Sequence, residues 1–190
     1  SDKVFNGTLT VNDENIQMDF VGLVDYSSQL IDFDFSTNIS KANIGKLNLT
    51  SIENNSLSGK INTKLRGSST ADLIGDISFN DFKYFSGDTT YNFDELIAQS
   101  RINNDKRFYS INSPDAITGI IIGDLNFFNL SDIAEKHVFS NYRNYSVSDN
   151  VYSDISFNLN LKPKFASVLN SKIAIDENTF VRGSFNADKS

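Results

Sequence analysis

Cysteine and tryptophan are absent from this chain, proline occurs twice, and histidine and methionine once each. Without cysteine there is neither a disulfide scaffold nor a thiolate metal site, while both a reducing cytosol and a disulfide-free periplasm accommodate such a chain. A single histidine, His137, cannot build a conventional metal cluster. Basic residues are outnumbered, 17 Lys and Arg against 24 Asp and Glu, for a net charge of −7. Nucleic-acid binding requires clustered cations to neutralise phosphates. Here the cations are scattered, and the one local concentration, Arg101, Lys106 and Arg107, is interrupted by Asn103, Asn104 and Asp105 and reads as a solvated hairpin end. No stretch approaches the ~18 apolar residues of a membrane helix, and no basic start with an apolar run opens the chain. The only methionine is Met18 and the sequence opens on Ser1. We therefore expect a section of a longer polypeptide, with any targeting signal upstream.

What the chain has in quantity is alternation. In residues 153–162, Ile155, Phe157, Leu159 and Leu161 share one phase and Asp154, Ser156, Asn158, Asn160 and Lys162 the other. Residues 31–40 repeat it, with Ile31, Phe33, Phe35 and Ile39 against Asp32, Asp34, Ser36, Asn38 and Ser40. A period of two marks a β-strand with one apolar and one wet face. At 190 residues and 39% hydrophobic the chain is long enough for one core, and we read residues 1–190 as a single all-β section.

Strands are predicted at Phe5 to Val11, from Ile16 through Met18 and Phe20, and at Leu30 to Ile39, Asn43 to Thr50, Ser56 to Arg66, Ala71 to Lys83, Thr90 to Ser100, Phe108 to Asn112, Ala116 to Phe127, Ser153 to Lys162, Ser171 to Ile175 and Thr179 to Phe185. Polar turns such as Asn12-Asp13-Glu14-Asn15 join them. Pro114 and Pro163 fall near strand ends. One segment follows helical spacing instead: Leu130, Ile133, Ala134, His137, Val138 and Tyr142, with Ser131 as N-cap and Asp132 and Glu135 in the first turns, predict a short helix near 131–142. The segments opening at Gly7, Gly75 and Gly123 echo one another, each a glycine followed by alternating apolar residues. Their irregular spacing excludes a fixed-period solenoid and suggests hairpins laid side by side. Glycine in the apolar phase permits bending or close backbone approach.

Catalytic constellations are hard to find. His137 lies beside the apolar stripe of the predicted helix, where packing explains it. Asp13, Glu14, Asp176 and Glu177 fall in predicted turns, Asp32 and Asp34 on a polar face, and no pair is set across a cleft as two-carboxylate hydrolysis requires. Asp88, Asp94 and Glu95 lack calcium-loop spacing. There is no Gly-rich phosphate loop and no nucleophile elbow, so we expect no enzyme and no cofactor. Asn-x-Ser/Thr triplets such as Asn38-Ile39-Ser40 and Asn144-Tyr145-Ser146 are ordinary in so Asn- and Ser-rich a chain. From alternation alone two outcomes stay open: a closed β-sandwich, in which two apolar faces cover each other, or a sheet whose apolar face takes something from outside. A sandwich that binds carbohydrate or a cell-surface protein through Tyr142, Tyr145 and Tyr152 belongs to the first.

The order of short motifs bears on that choice. Phe5-Asn6-Gly7, Asp13-Glu14-Asn15, Met18-Asp19-Phe20-Val21-Gly22 and Phe33-Asp34-Phe35 lead to the run Ala42 to Leu49. There follow Gly75 to Asn80, Tyr84 to Asp88, Ser113-Pro114-Asp115 and Ile117-Thr118-Gly119, then the predicted helix and a tyrosine-containing loop. This series resembles the TamB-type translocation and assembly module family, in the AsmA-like, bridge-like lipid-transfer group, along essentially the whole chain. The resemblance implies a curled, twisted antiparallel β-sheet forming an open groove. It also implies a periplasmic location, a full-length protein anchored in the inner membrane, an Omp85-type outer-membrane partner met through other parts of that protein, phospholipid acyl chains as ligand, and a part in outer-membrane protein assembly. On that reading Phe20, Phe33, Phe35, Ile77, Phe79, Leu125, Phe127, Phe157, Leu159 and Leu161 line the groove, while the Asp, Asn, Ser and Lys phases face water.

Overall fold

The computed structural model describes residues 3–49, 54–69, 72–104, 106–123, 155–169 and 173–185. Within them lie ten strands: β1 (Val4–Asn12), β2 (Ile16–Asp25), β3 (Ile31–Ala42), β4 (Asn55–Gly67), β5 (Ile74–Ser86), β6 (Thr89–Asn103), β7 (Lys106–Ser113), β8 (Ile117–Gly123), β9 (Ile155–Leu161) and β10 (Thr179–Phe185). One short helix, α1 (Pro163–Leu169), stands between β9 and β10. Each strand pairs antiparallel with its neighbours in sequence, giving a single sheet in the order β1 to β10. That sheet is not closed into a barrel; β1 and β10 are its edges. The mostly β class expected from the alternation, and the open antiparallel sheet that the resemblance implied, are what is found.

Local chemistry explains the turns. Between β1 and β2, Asn15 N–H donates to the Asp13 carboxylate at 2.8 Å while Asp13 N–H donates to the Ile16 carbonyl at 2.9 Å, so the aspartate side chain stands in for a backbone acceptor. Between β5 and β6 only Gly87 and Asp88 intervene, and Gly87 takes φ 59°, the left-handed geometry that two-residue hairpins require. Residues 43–49, expected as a strand, turn back on themselves instead. Leu47 N–H donates to the Asn43 carbonyl at 2.9 Å, Leu49 N–H to the Ile44 carbonyl at 2.9 Å, and Asn48 adopts φ 58°. Asparagine and glycine tolerate these backbone angles, so local bonds replace a ladder.

Bulges cluster in β2 to β5. Register shifts fall at Gln17/Met18 and Ile39/Ala42 between β2, β3 and β4, and at Ser58/Lys60 between β4 and β5, where Asp81 has φ 51°. Neighbouring bulges of this kind add twist and turn the strands. Gly22, at φ 141° and opposite Phe35, lets β3 come close: a methyl group there would overlap the Asp34 carbonyl oxygen and the Phe35 backbone.

The helix predicted at 131–142 lies outside the described residues. The helix that is described, α1, was not anticipated, because Pro163 reads equally as a strand stop and as the first residue of a helix, where its missing N–H costs nothing. Phe165 and Val168 of α1 pack against the buried cluster of Phe93, Ala116 and Ile117, together with Leu159 and Leu161. Polar contacts fix its position. The Lys164 ammonium pairs with Asp115 and donates to the Asn92 carbonyl at 2.7 Å, and Tyr91 Oη donates to the Ser167 carbonyl at 3.1 Å. Thus α1 reaches back across β8 and β7 to β6.

Asp115 is the titrating member of this contact. Burial raises its pKa, but hydrogen bonds from Lys164 and Ser113 and the Lys164 charge outweigh burial, and the net shift is downward. A carboxylate depressed in the folded state contributes stability that is full above its unfolded pKa, near pH 4, and is lost as pH falls through the folded value. Asp115→Asn is therefore expected to lower the urea midpoint at pH 7, with the gap from wild type closing as the pH falls through the depressed folded-state pKa. A gap that stays constant across that range would show that the ion pair does not hold α1.

Candidate functional site: one apolar face across ten strands

Directly opposed residues in antiparallel strands point to the same face. Following the pairing from edge to edge gives continuous rows. One runs Phe5, Val24, Phe33, Leu65, Gly75, Ser100, Tyr109, Ile121, Phe157, Gly183. The next on the same face runs Gly7, Gly22, Phe35, Thr63, Ile77, Ala98, Ile111, Gly119, Leu159, Val181. Neither row contains a charge. The row between them, on the other face, runs Asn6, Leu23, Asp34, Lys64, Asp76, Gln99, Ser110, Ile120, Asn158, Arg182. Its members bond to each other: Lys64 lies 3.5 Å from Asp34, Gln99 donates to Asp76 at 2.8 Å, Ser110 to Gln99 at 3.2 Å, and Arg182 to Asn158 at 2.9 Å. These exposed contacts add little stability individually. Their importance lies in gathering the charges of these strands on one face and leaving the opposite rows uncharged.

Eight of the expected groove residues fall on that apolar face. Phe33 and Phe157 lie in the first row, Phe35, Ile77 and Leu159 in the second, and Phe20 and Phe79 in a third that runs Leu9, Phe20, Thr37, Ile61, Phe79, Leu96. Leu161 pairs with Ile117 farther along the same face. The two others, Leu125 and Phe127, lie outside the described residues, as do His137, Tyr142, Tyr145 and Tyr152.

Burial divides the face into two parts. Over β6 to β9, Phe93, Tyr109, Ile117 and Ile155 are buried, and Leu159 and Leu161 pack against the same cluster as α1. Over β1 to β5, Thr37, Thr63 and Leu65 are buried between larger neighbours, while Phe20, Phe33, Phe35, Ile77 and Phe79 are each half-buried and Phe5 and Leu9 remain 43% and 47% exposed. All ten described strands belong to one sheet, so among the described residues no second sheet faces this surface. The rings there touch each other: Phe5 to Phe20 at 5.6 Å between centroids, Phe20 to Phe35 at 4.9 Å, and Phe33 edge-on to Phe35 at 6.5 Å. Such contacts fix an aromatic floor.

Several members of the face escaped the sequence reading. Phe82 is three residues from Phe79, out of phase for a regular strand, yet their rings pack at 5.8 Å. The bulge at Asp81 turns that aspartate outward, 3.7 Å from Lys60, and resets the phase. No signal in the period of two could have found Phe82; an aspartate interrupting an aromatic run was the available hint. Among the described residues there is no group of three metal-ligating side chains, and no helix long and apolar enough to cross a membrane. No family model matches the chain, and no curated protein or solved structure matches it either.

The two parts of the face should respond differently to one charge. Phe93→Asp places a carboxylate in the cluster beneath α1 and is expected to cost on the order of 3–5 kcal/mol. Phe35→Asp lets the carboxylate reach water and is expected to cost about 1–2 kcal/mol, the loss of a partial burial. Urea unfolding followed by circular dichroism measures both, and equal losses would mean that the β1 to β5 part is as closed as the other.

Proposed function

We propose that this chain is a section of a hydrophobic groove that carries phospholipids by their acyl chains between the inner and outer membranes and supports outer-membrane protein assembly. The observation that carries the reading is the half-exposed aromatic and aliphatic face of β1 to β5 on an open sheet. The order of motifs resembling TamB-type proteins supports it independently. On this reading the anchor in the inner membrane and the contact with an Omp85-type outer-membrane protein belong to other parts of a longer chain acting in the periplasm.

The energetics fit transport without chemistry. Drawing a lipid into water costs about 0.8 kcal/mol per CH₂, hence on the order of 10 kcal/mol for one acyl chain. A continuous apolar floor lowers that barrier because each step exchanges one hydrocarbon contact for another. Rows that run perpendicular to the strands, from edge to edge of the sheet, keep the floor free of charge along their whole length. Gly7 and Gly22 stand beside Phe35 in the second row, and at Gly22 the backbone of β3 comes close.

Purified chain incubated with phosphatidylethanolamine and phosphatidylglycerol vesicles, then separated and examined by native mass spectrometry, is expected to carry bound phospholipid. Phe35→Asp is expected to remain folded and to lose it. Wild-type chain that emerges free of lipid after such incubation would overturn the reading.

A further inference from the structure

Of the residues that the pairing places on the apolar face, one carries a charge. Arg107, the second residue of β7, lies opposite Ile102 on one side and Gly123 on the other, two residues before Tyr109, and so shares the face of Phe33 and Phe157. Its companions in the sequence do not. Arg101 lies on the opposite face, where its guanidinium meets the Asp76 carboxylate at 2.6 Å, and Lys106 is exposed at the hairpin end. The reading of this trio as a solvated hairpin end therefore holds for Arg101 and Lys106 and fails for Arg107.

Arg107 has no carboxylate partner among the described residues. One of its terminal nitrogens donates to the Leu73 carbonyl at 3.2 Å, and its guanidinium lies over the Tyr109 ring at 6.0 Å. The side chain is half-buried, beside buried Leu73 and Tyr109 and next to Ile102, which is 53% exposed. A guanidinium has five N–H donors and is always charged. With one donor given to Leu73, the other N–H groups meet no carboxylate among the described residues at this end of the apolar floor, where an unpaired charge is costly.

We propose that Arg107 receives the phosphate head group of a phospholipid whose acyl chains lie on the apolar face. The assignment rests on the lipid-carrying reading above and adds to it the position and sign of the head-group contact. Charge complementarity selects an anion, the guanidinium fork can bind a phosphate through two parallel hydrogen bonds, and a phospholipid on the floor brings that phosphate with it. The far end of the same strands is covered by α1, which leaves Arg107 at the end of the floor that α1 does not cover.

Calorimetric titration of the chain with dodecyl phosphate, laurate and the uncharged dodecyl maltoside, each below its micelle concentration, tests this. Wild type is expected to bind dodecyl phosphate on the order of tenfold tighter than dodecyl maltoside. Arg107→Gln should abolish that difference and leave the maltoside affinity unchanged, while Arg107→Lys should keep part of it as a point charge. If Arg107→Gln does not fold, salt decides in wild type: rising ionic strength must erase the advantage of dodecyl phosphate and spare dodecyl maltoside. Equal binding of the phosphate and the maltoside, or an unchanged preference in Arg107→Gln, overturns the head-group site alone. Laurate binding as tightly as dodecyl phosphate overturns the choice of phosphate. Failure of all three to bind sinks the lipid-carrying reading together with this one.

Discussion

Strand register is the constraint on which everything else rests. In an antiparallel sheet a slip of one residue sends every side chain of a strand to the other face. Here ten strands hold two apolar rows in phase from edge to edge. The row between them is polar enough to penalise a slip at almost every strand: moving β4 by one would carry Lys64 toward the floor and break its contact with Asp34. Exposed ion pairs on the wet face thus matter less for their own energy than for the misregistered sheets they disfavour.

A sheet with one wet face ordinarily covers its other face with protein. This one does so only in part. Helix α1 docks over β6 to β9 through Phe165 and Val168 and is pinned by Lys164, Asp115 and Tyr91. Over β1 to β5 the rings of Phe5, Phe20 and Phe35 pack on each other and remain partly open to solvent. The stability of that part then comes from cross-strand pairs and the ladder, with the bulges near Met18, Ala42, Gly59 and Asp81 bending the sheet without breaking its pairing.

Much of this was legible in the residues. Alternation in Ile31 to Ile39 and Ile155 to Leu161 placed Phe33, Phe35, Phe157, Leu159 and Leu161 in one phase of their strands, and the ladder then joined those phases into one face. Three things were not legible, each because a local rule was overridden. Asp81 reset the phase and brought Phe82 in; Pro163 began a helix where it also suited a strand end; and residues 43–49 closed turns that their apolar spacing does not announce. Arg107 belongs with these, since only the pairing of β7 with β6 decides which way it faces. Whether the face would be covered by a second sheet lay beyond periodicity altogether, because a sandwich and a groove share the same pattern.

The most direct test of the central claim uses the absence of cysteine. Phe35→Cys and Asp34→Cys, adjacent in β3 and on opposite faces, each carry a fluorophore and are mixed with phospholipid bearing a nitroxide on its acyl chain. The account predicts strong quenching at position 35 and little at position 34. Equal quenching at the two positions, or none at position 35, would contradict it.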